Sequence, residues 1–505
     1  MNQSKPPHSR DLHPSRLHCE TPKTLCRWDR LALFAFLALV AAPLFAISGG
    51  PQRQVSEADI FGANNPDVAY NSVRNEFFVV WTEYDNSLGS EVFGRRLSAT
   101  TGQPLGAPFR ITDFGPPDIQ GYSVESPRVV YNPIRNEYFV VFRGSFAYDI
   151  QLRGVRLAGS TGFPVGPVRQ LSEMGSGASF HFAADFDVVL NPDAPGGRYL
   201  VVWAGLDDRE GHAIGESEIY ARHVSAATGI AEGVDDLQIS QMGPLGDPNY
   251  VARLPQVVYD VLNRRYFVVW VGEHDADGQV EGVEEIFMQF LDGNDGQPLV
   301  DEQIRISGTG QELEPGITSL AVTHNPDLGH FLVAWSEALA SGGSTVPSGG
   351  DAFLLRSQRV HAEVGAEIGP DDAFLLSHPV ALEDLELVYD TRAQRYLLSQ
   401  TLGVPGGAGR REIGLLELDT VAEPTGAPFR VSDTLPTPTL ANPFAIRSAL
   451  TLEPSTGEPL VVWQATRGLE GGSQSDVFGR WSPTMIFQNG FESGDLQGWS
   501  SAVGF

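Results

Sequence analysis

Three acidic loops carry the side chains best suited to chemistry in this sequence. They are "TEYDNSLGSE" from Thr82 to Glu91, "AGLDDREGHAIGESE" from Ala204 to Glu218 and "VGEHDADGQVEGVEE" from Val271 to Glu285. Carboxylates bind hard cations, accept hydrogen bonds from polar ligands, or work in pairs as acid and base. We predict that ligand binding, if located in these loops, uses six acids: Asp85, Asp207, Asp208, Asp275, Asp277 and Glu281.

The third loop is the one with a metal-binding pattern. Asp275 and Asp277 precede Gly278 in a D-x-D-G order that resembles the opening of calcium loops, where hard oxygen ligands surround a tight glycine turn. The rest of the pattern is missing, because no acid stands where a bidentate ligand would be needed. The sequence therefore predicts no cofactor, with calcium in this loop as the alternative, and leaves any metal site unassigned.

Other reactive groups are scarce beyond Ala46. Both cysteines, Cys19 and Cys26, and both lysines, Lys5 and Lys23, precede that residue. The chain after it therefore has no thiol nucleophile, no thiolate metal ligand and no lysine for a Schiff base or a phosphate loop. It also contains no H-E-x-x-H and no G-x-S-x-G motif. The sequence predicts no catalytic residue.

The loops connect strands that belong to a sevenfold repeat. One strand recurs as "EFFVVW" ending at Trp81, "EYFVVF" at Phe142, "RYLVVW" at Trp203, "RYFVVW" at Trp270, "HFLVAW" at Trp335, "RYLLSQ" at Gln400 and "EPLVVW" at Trp463. Spacings between 61 and 67 residues are typical of a repeat architecture. Each copy is apolar on both faces, as expected of a strand packed between neighbouring sheets.

Each repeat unit contains three further strand-like segments. The first resembles "PQVVY" (Pro255 to Tyr259), the third resembles "EIYARHV" (Glu218 to Val224) and the fourth resembles "FRIT" (Phe109 to Thr112). Asn-Pro and Gly-Pro sequences supply the turns between them. The pattern predicts an all-β fold, a seven-bladed β-propeller of four-stranded antiparallel blades around a central channel. The large aromatic residue that ends most copies is expected to pack between blades.

The fourth strands are offset by one unit. The last unit stops after "DVFGRW" (Asp476 to Trp481), whereas an extra fourth-strand copy, "RQVS" (Arg53 to Ser56), precedes the first unit. We therefore expect the N-terminal strand to complete the last blade and close the ring.

Taken together, the order Y-x-V-V-W, E/D-I-Y/F-x-R, G-x-P-x-G and I-S resembles the repeats of secreted bacterial β-propeller proteins, most of which are uncharacterised. The resemblance covers about Arg53 to Trp481 and implies the architecture, but no catalytic set. The tail "FQNGFESGDLQGWS" (Phe487 to Ser500) resembles a segment found near the C-termini of exported bacterial proteins.

The N-terminal segment has the order of an export signal. Basic residues precede a 16-residue apolar run, Leu31 to Ala46, that ends in small residues. We divide the chain into a signal peptide at 1–46, with an uncleaved anchor as the alternative, a propeller at 47–482 and a tail with the GFESGD motif at 483–505. The predicted location is secreted, periplasmic or at the cell surface.

Charge narrows the choice of partner. The formal net charge of −29 opposes nucleic-acid binding, which needs a basic surface. The main interpretation is an exported, monomeric, non-enzymatic propeller that offers an acidic loop face to a protein or glycan and meets no membrane apart from the signal or anchor segment. One alternative is a carbohydrate-active enzyme, a glycoside hydrolase or polysaccharide lyase that uses loop carboxylates. Another is a purely structural cell-surface protein.

Overall fold

The computed structural model describes the strands of the repeat and most turns between them. The described residues are 50–57, 62–85, 89–115, 121–146, 149–174, 181–206, 212, 215–233, 235–274, 283–308, 316–338, 353–378, 382–404, 409–432, 444–469 and 472–481. The chain divides into Met1–Pro43 and Leu44–Phe505, and all of these residues belong to the second unit. The predicted signal peptide and tail lie outside them, so both remain predictions.

Four kinds of strand alternate along the described chain. The first strands are β2 (Ala63–Asn71), β6 (Tyr122–Asn132), β10 (His181–Asn191), β14 (Ala252–Asp260), β18 (Gly316–Asn325), β22 (Leu382–Asp390) and β26 (Ala445–Glu453). The second strands are β3 (Glu76–Asp85), β7 (Glu137–Phe146), β11 (Arg198–Leu206), β15 (Arg265–Gly272), β19 (His330–Ala338), β23 (Arg395–Gly403) and β27 (Glu458–Leu469).

The remaining strands complete each repeat unit. The third strands are β4 (Gly89–Ser98), β8 (Asp149–Ala158), β12 (Glu218–Ser225), β16 (Glu285–Asp292), β20 (Phe353–His361), β24 (Arg411–Leu418) and β28 (Gly472–Trp481). The fourth strands are β5 (Phe109–Arg110), β9 (Arg169–Gln170), β13 (Leu237–Gln238), β17 (Ile304–Arg305), β21 (Glu367–His378), β25 (Phe429–Arg430) and β1 (Arg53–Gln54). The described residues form no helix, and thus none that is long and apolar enough to span a membrane.

The strands form six sheets where the sequence predicts seven. Five sheets have four antiparallel strands each, and the sixth has eight. The larger sheet arises because β10 pairs in parallel with β8, His181 with Asp149 and Phe182 with Ile150, so that the second and third repeat units share one sheet. The expectation of seven separate sheets is therefore wrong for the second and third units, which share one sheet.

The first strands surround a central channel. They contact one another in chain order from β2 to β26, and β26 in turn contacts β2. The fold is therefore an all-β propeller built from antiparallel units. Its apolar clusters lie between successive units: Trp81, fully buried, packs with Leu460 and Val462 of the last unit, and Trp270 packs with Leu200 and Val202 of the unit before it. The aromatic residues that end the repeated strand thus pack between units, as the sequence predicts.

The N-terminal strand completes the last sheet. Arg53 pairs with Gly479 in the order β1-β28-β27-β26. The Ser56 hydroxyl donates to Asp476 at 3.1 Å and accepts the Val477 N–H at 2.9 Å. The pairing of "RQVS" with "DVFGRW" that the strand offset predicts is confirmed.

A shared hydrogen-bond pattern explains the I-S or I-T at the end of the fourth strands. The Ser307 hydroxyl donates to the buried Glu285 and accepts the Ile286 N–H at 2.8 Å, and Thr112 donates in the same way to Glu91. We call each such hydroxyl–acid pair a latch. Ser56 with Asp476 is the latch whose two halves come from opposite ends of the repeat region.

Candidate active site in the central channel

The six acids predicted from the loops are not the ones that the structure brings together. Asp207, Asp208, Asp275, Asp277 and Glu281 lie outside the described residues, and Asp85 is described only as the last residue of β3. That ligand-binding prediction is therefore still untested. The carboxylates that the structure does bring together lie on the first strands.

One position, here called the ring position, occurs once on each first strand. Its occupants are Asp67, Arg128, Asp187, Gln256, Ala321, Glu386 and Ala449. In every unit this residue pairs with the one just before the end of the repeated second-strand motif, as Asp67 pairs with Val80 and Glu386 with Ser399. Packing positions repeat the same residue type from unit to unit, whereas the ring position differs. An active site needs each of its residues once, so this variation is what a site would produce.

Arg128 connects the carboxylates of the ring. Its Nη1 lies 3.0 Å from Glu386 Oε1, on the opposite side of the channel, and 3.9 Å from Asp67 Oδ1. Residues of all seven first strands line a cavity of about 290 Å³ here, and its charged lining residues are Arg128, Arg143, Asp185, Asp384, Glu386 and Arg447. Asp67 and Asp187 are not among the lining residues. The side chains are enclosed but still reached by solvent: Asp67 is 14% exposed and Glu386 27% exposed. This is a polar pocket at the centre of the fold, beside side chains that are partly accessible to solvent.

A repeated backbone irregularity shapes the wall of the pocket. The register of each first strand shifts just before the ring position, for example between Asn64 and Asp67 and between Glu383 and Glu386. The residue two places before the ring position adopts a left-handed conformation in six units: Asn65, Ser126, Asp185, Leu254, Asp384 and Arg447. Such β-bulges re-aim side chains. Because the bulge recurs, we attribute it to the scaffold, which turns the ring residues inward.

Backbone hydrogen bonds hold two of the carboxylates in place. Asp67 Oδ2 accepts the Val129 N–H of the next first strand at 2.6 Å, and Asp187 Oδ2 accepts the Val257 N–H at 2.9 Å. Asp187 Oδ1 also accepts the N–H of its own neighbour Val188 at 2.8 Å. These bonds fix the two aspartates and join successive units, whereas Glu386 is held through the Arg128 guanidinium.

The ring position holds three carboxyl groups and one guanidinium, and the carboxyl pKa values reflect this excess of acid. Burial raises the pKa of Glu386 to about 7, against the attraction of Arg128 and with repulsion from Asp67 and Asp187. Burial likewise raises the pKa of Asp67 and of Asp187, although Arg128 and backbone N–H groups oppose the shift. Burial alone would lower the pKa of Arg128, but the surrounding carboxylates raise it instead. Glu386 can therefore keep a proton near neutral pH while Arg128 stays charged.

Other perturbed carboxyls belong to the scaffold. Burial raises the pKa of Glu218 and of Asp372 to about 7. Glu218 accepts the Ser240 hydroxyl in a latch, and Asp372 accepts the Gly308 N–H at 2.9 Å. Neither residue occupies the ring position. Within the described part of the chain, no three His, Cys, Asp or Glu side chains are arranged to hold a metal ion.

Comparison with known proteins gives structural likeness without sequence kinship. No family model and no curated protein matches the sequence. Among solved structures, the GH93 α-L-arabinofuranosidase of Fusarium graminearum is 8% identical with a TM-score of 0.46, covering 74% of this chain and 98% of its own. An endo-arabinase from Bacteroides thetaiotaomicron is 13% identical with a TM-score of 0.32, covering 65% and 99%. An exo-β-1,3-galactanase from Clostridium thermocellum is 10% identical with a TM-score of 0.33, covering 86% and 96%.

These neighbours correct the main functional interpretation from sequence. They are glycosidases, which contradicts the expectation of a non-enzymatic binding scaffold. Every TM-score is below 0.5, so the likeness carries no argument about which reaction this chain performs. The chemistry has to be argued from its own residues.

The sequence did not lead to a prediction of the channel site, because the acids considered were those of the loops, whereas the site residues lie on strands. The sequence does contain a signal for the channel site. It is the residue that follows the proline in "NPDVAY", "SPRVVY" and "LPQVVY". Aligning the seven first strands shows that this residue varies, whereas the residue after it is Val or Leu in every unit. The enzymatic alternative also placed the carboxylates on loops, whereas Asp67, Asp187 and Glu386 are strand residues.

Proposed function

We propose that this chain is a carbohydrate-active enzyme, a glycoside hydrolase whose acid and second carboxylate lie in the central channel. The observation that carries the proposal is the set Asp67, Asp187 and Glu386 around the Arg128 guanidinium, at a position where the repeat units differ. Glycoside hydrolysis needs one carboxyl that is protonated and one that is ionised at the same pH. Burial raises the pKa of all three carboxyls, and we assign the ionised role to Asp67 because backbone N–H groups of Val129 and Val68 favour its charged form.

Glu386 is the proposed general acid. Its pKa of about 7 keeps a proton available near neutral pH for the oxygen of the leaving group. Once the proton has left, the Glu386 carboxylate faces the Arg128 guanidinium at 3.0 Å, which stabilises the new negative charge. Arg128 thus has a positioning and electrostatic role, because its positive charge stabilises the Glu386 carboxylate that forms on deprotonation.

Asp67 is the proposed second carboxylate. Because Arg128 Nη1 lies 3.0 Å from Glu386 and 3.9 Å from Asp67, the two carboxylate oxygens are at most about 7 Å apart. Paired carboxyls about 5–5.5 Å apart act with retention, and those about 6.5–9.5 Å apart act with inversion. The upper bound is compatible with either stereochemical course. Asp187, with both oxygens bonded to backbone N–H groups, adds negative potential for a cationic transition state.

Variants of the two carboxylates test the proposal. The measurement is the release of reducing ends from a panel of soluble polysaccharides, with stability followed by thermal melting. We expect Glu386→Gln to reduce turnover by a factor of about 100 or more, in line with the loss of a general acid, and Asp67→Asn to do likewise. Glu383→Gln is the matched control, since Glu383 lies on the same strand and pairs with Arg411 outside the pocket.

Two results would count against the assignment. The first is activity on some polysaccharide that survives in Glu386→Gln at the level of Glu383→Gln. The second is a pH profile that stays flat across pH 7, because protonated Glu386 is lost as pH rises through about 7. A folded parent with no activity on the whole panel would instead favour a structural role at the cell surface.

For the architecture, we further propose a ring of seven blades, with two of them sharing the eight-stranded sheet. In support, the parallel ladder between β8 and β10 is only two residue pairs long, and seven first strands contact in closed order. An experimental density map tests this. A continuous ladder between the second and third units would reduce the count to six.

A further inference from the structure

We propose that one sector of the turn-bearing edge binds to the surface of a lipid bilayer that contains anionic lipid. The sector consists of the turns of the first two repeat units, residues 71–76, 98–108, 132–137 and 158–168, together with Arg96 and Arg156 of the adjoining strands, so that it holds four arginines and two acids. We call it the turn sector. It goes beyond the proposed hydrolysis and replaces the expectation that only the N-terminal segment meets a membrane.

Backbone hydrogen bonds place these turns on the same edge. In the first unit, Ala99 N–H donates to Asn75 O at 3.1 Å, and in the second, Gly159 N–H donates to Asn136 O at 2.9 Å. Between the units, the Asn71 side chain donates to Gly159 O at 3.0 Å. The four turns are therefore one continuous surface.

Large apolar side chains protrude from the turn sector. Val73 is 60% exposed, Ile134 51% and Phe163 53%, and Leu105 and Val165 are exposed to a similar degree. Single exposed apolar residues are ordinary, but a contiguous group marks an interaction surface. Phe163 is also anchored from below by Phe109, with ring centroids 4.6 Å apart. Its ring is therefore held at the surface.

The charge of the turn sector is opposite to that of the molecule. Its turns carry two acids, Glu76 and Glu137, and each is bridged by two arginines. Arg74 and Arg96 contact Glu76 at 3.2 and 2.8 Å. Arg135 and Arg156 contact Glu137 in the same arrangement. The sector is thus cationic overall in a chain of net charge −29.

The equivalent turns of later units have a different charge. They carry acids without this double bridging: Asp193, Glu232, Asp295, Asp301, Glu302, Asp327, Glu363, Asp419 and Glu423. Several of them also expose apolar side chains, such as Leu262 and Leu328. Exposed apolar groups alone would fit many partners, whereas apolar groups with excess arginine fit anionic headgroups above an acyl layer.

The path of the chain points to the same occupant. Arg53 pairs with Gly479 and Gln54 with Phe478, so residues before Arg53 approach from the end of β28, at Trp481. Trp481 packs against Gly102, which belongs to the turn sector. In the sequence, the apolar run Leu31 to Ala46 ends seven residues before Arg53. The chain therefore enters the first strand of the propeller beside the turn sector.

An environment-sensitive label distinguishes contact by the sector from simple tethering. In the full chain with Cys19→Ser and Cys26→Ser, NBD is attached at Ser160→Cys within the sector, or at Asn294→Cys, which occupies the equivalent turn of the fourth unit. Both native residues are exposed. Vesicles of phosphatidylcholine and phosphatidylglycerol at 3:1 are added, with pure phosphatidylcholine as the comparison.

We expect the label at position 160 to shift to the blue and brighten with anionic vesicles, less so at high salt, and the label at 294 to stay unchanged. Adding Ile134→Ser with Phe163→Ser should abolish the response. The proposal is overturned if neither label responds, if both respond alike, or if the response appears without vesicles as protein concentration rises, since the last result would mean self-association.

Discussion

Replacing the proposed acid should strengthen the fold at alkaline pH. In the native state burial raises the pKa of Glu386 to about 7, from an ordinary value of 4.5. The native state therefore holds a proton that the unfolded chain has released between these two values, and stability falls as pH rises through that window. Glu386→Gln has no charge to bury. It should match the parent at pH 4 and exceed it at pH 8.

The size of the effect follows from the shift. A displacement of about 2.5 pKa units corresponds to roughly 3 kcal/mol of penalty on the charged form at pH 8. The side chain is 27% exposed, and the variant also loses the charge-assisted bond from Arg128. Both facts reduce the gain, so we expect the free energy of unfolding at pH 8 to increase by about 1–2 kcal/mol.

Urea unfolding at pH 4 and pH 8, followed by circular dichroism, measures this difference. Glu453→Gln is a control of opposite sign. Burial would raise the pKa of Glu453, but hydrogen bonds from Thr456, Ser455 and Tyr70 lower it to about 2. Its charge therefore stabilises the fold at pH 8, and the variant should be weaker than the parent there. If Glu386→Gln also loses stability at pH 8, Glu386 is a structural partner of Arg128 and the reasoning fails.

Three further predictions concern the scaffold and export. Ser56→Ala should cost about 2–4 kcal/mol by removing the two buried hydrogen bonds that its hydroxyl makes with Asp476 and the Val477 N–H, and Ser307→Ala, in an internal latch, should cost the same in urea unfolding. An unaffected Ser56→Ala would mean that the ring closes without its latch. Gln400, fully buried in the position of the repeated tryptophan, has an amide without a partner among the described atoms. Gln400→Leu should therefore raise the unfolding free energy by about 1–2 kcal/mol, and a lower melting temperature would contradict this. In a Gram-negative host, N-terminal sequencing of exported protein should begin near Ile47, whereas intact Met1 on cytoplasmic protein would refute the signal peptide.

The scaffold was predictable because its residues repeat. The buried strand recurs in all seven units, and the Asn or acid that caps its turn and the hydroxyl at the end of the fourth strand recur in most of them, so the sequence states these features several times. Asn71 and Asn325 show this: each accepts N–H groups of its own turn and donates to a tyrosine of the next unit. Because these features repeat, the strands and the closure of the ring by the N-terminal strand could be predicted from the sequence.

The site was not predictable in the same way. Asp67 and Glu386 are separated by most of the repeat region, and each looks like an isolated exception within its own unit. They meet only because the first strands turn around one axis and Arg128 reaches across it. The joining of two units into one sheet was equally hidden, since the short parallel ladder at His181 depends on backbone geometry and not on a side-chain pattern.

The last sheet combines the first strand of the repeat region with its last three strands, so it can form only when synthesis of that region is complete. The two residues of the Ser56–Asp476 latch are 420 positions apart. β1 is therefore synthesised first and stays unpaired until β28 has been synthesised. A chain that stops before β28 can make the earlier sheets, but it leaves Arg53–Gln54 without its partner strand. Unpaired strand edges invite aggregation and degradation. Ring closure therefore depends on complete translation of the repeat region: only a chain translated through Trp481 can pair β1 with β28.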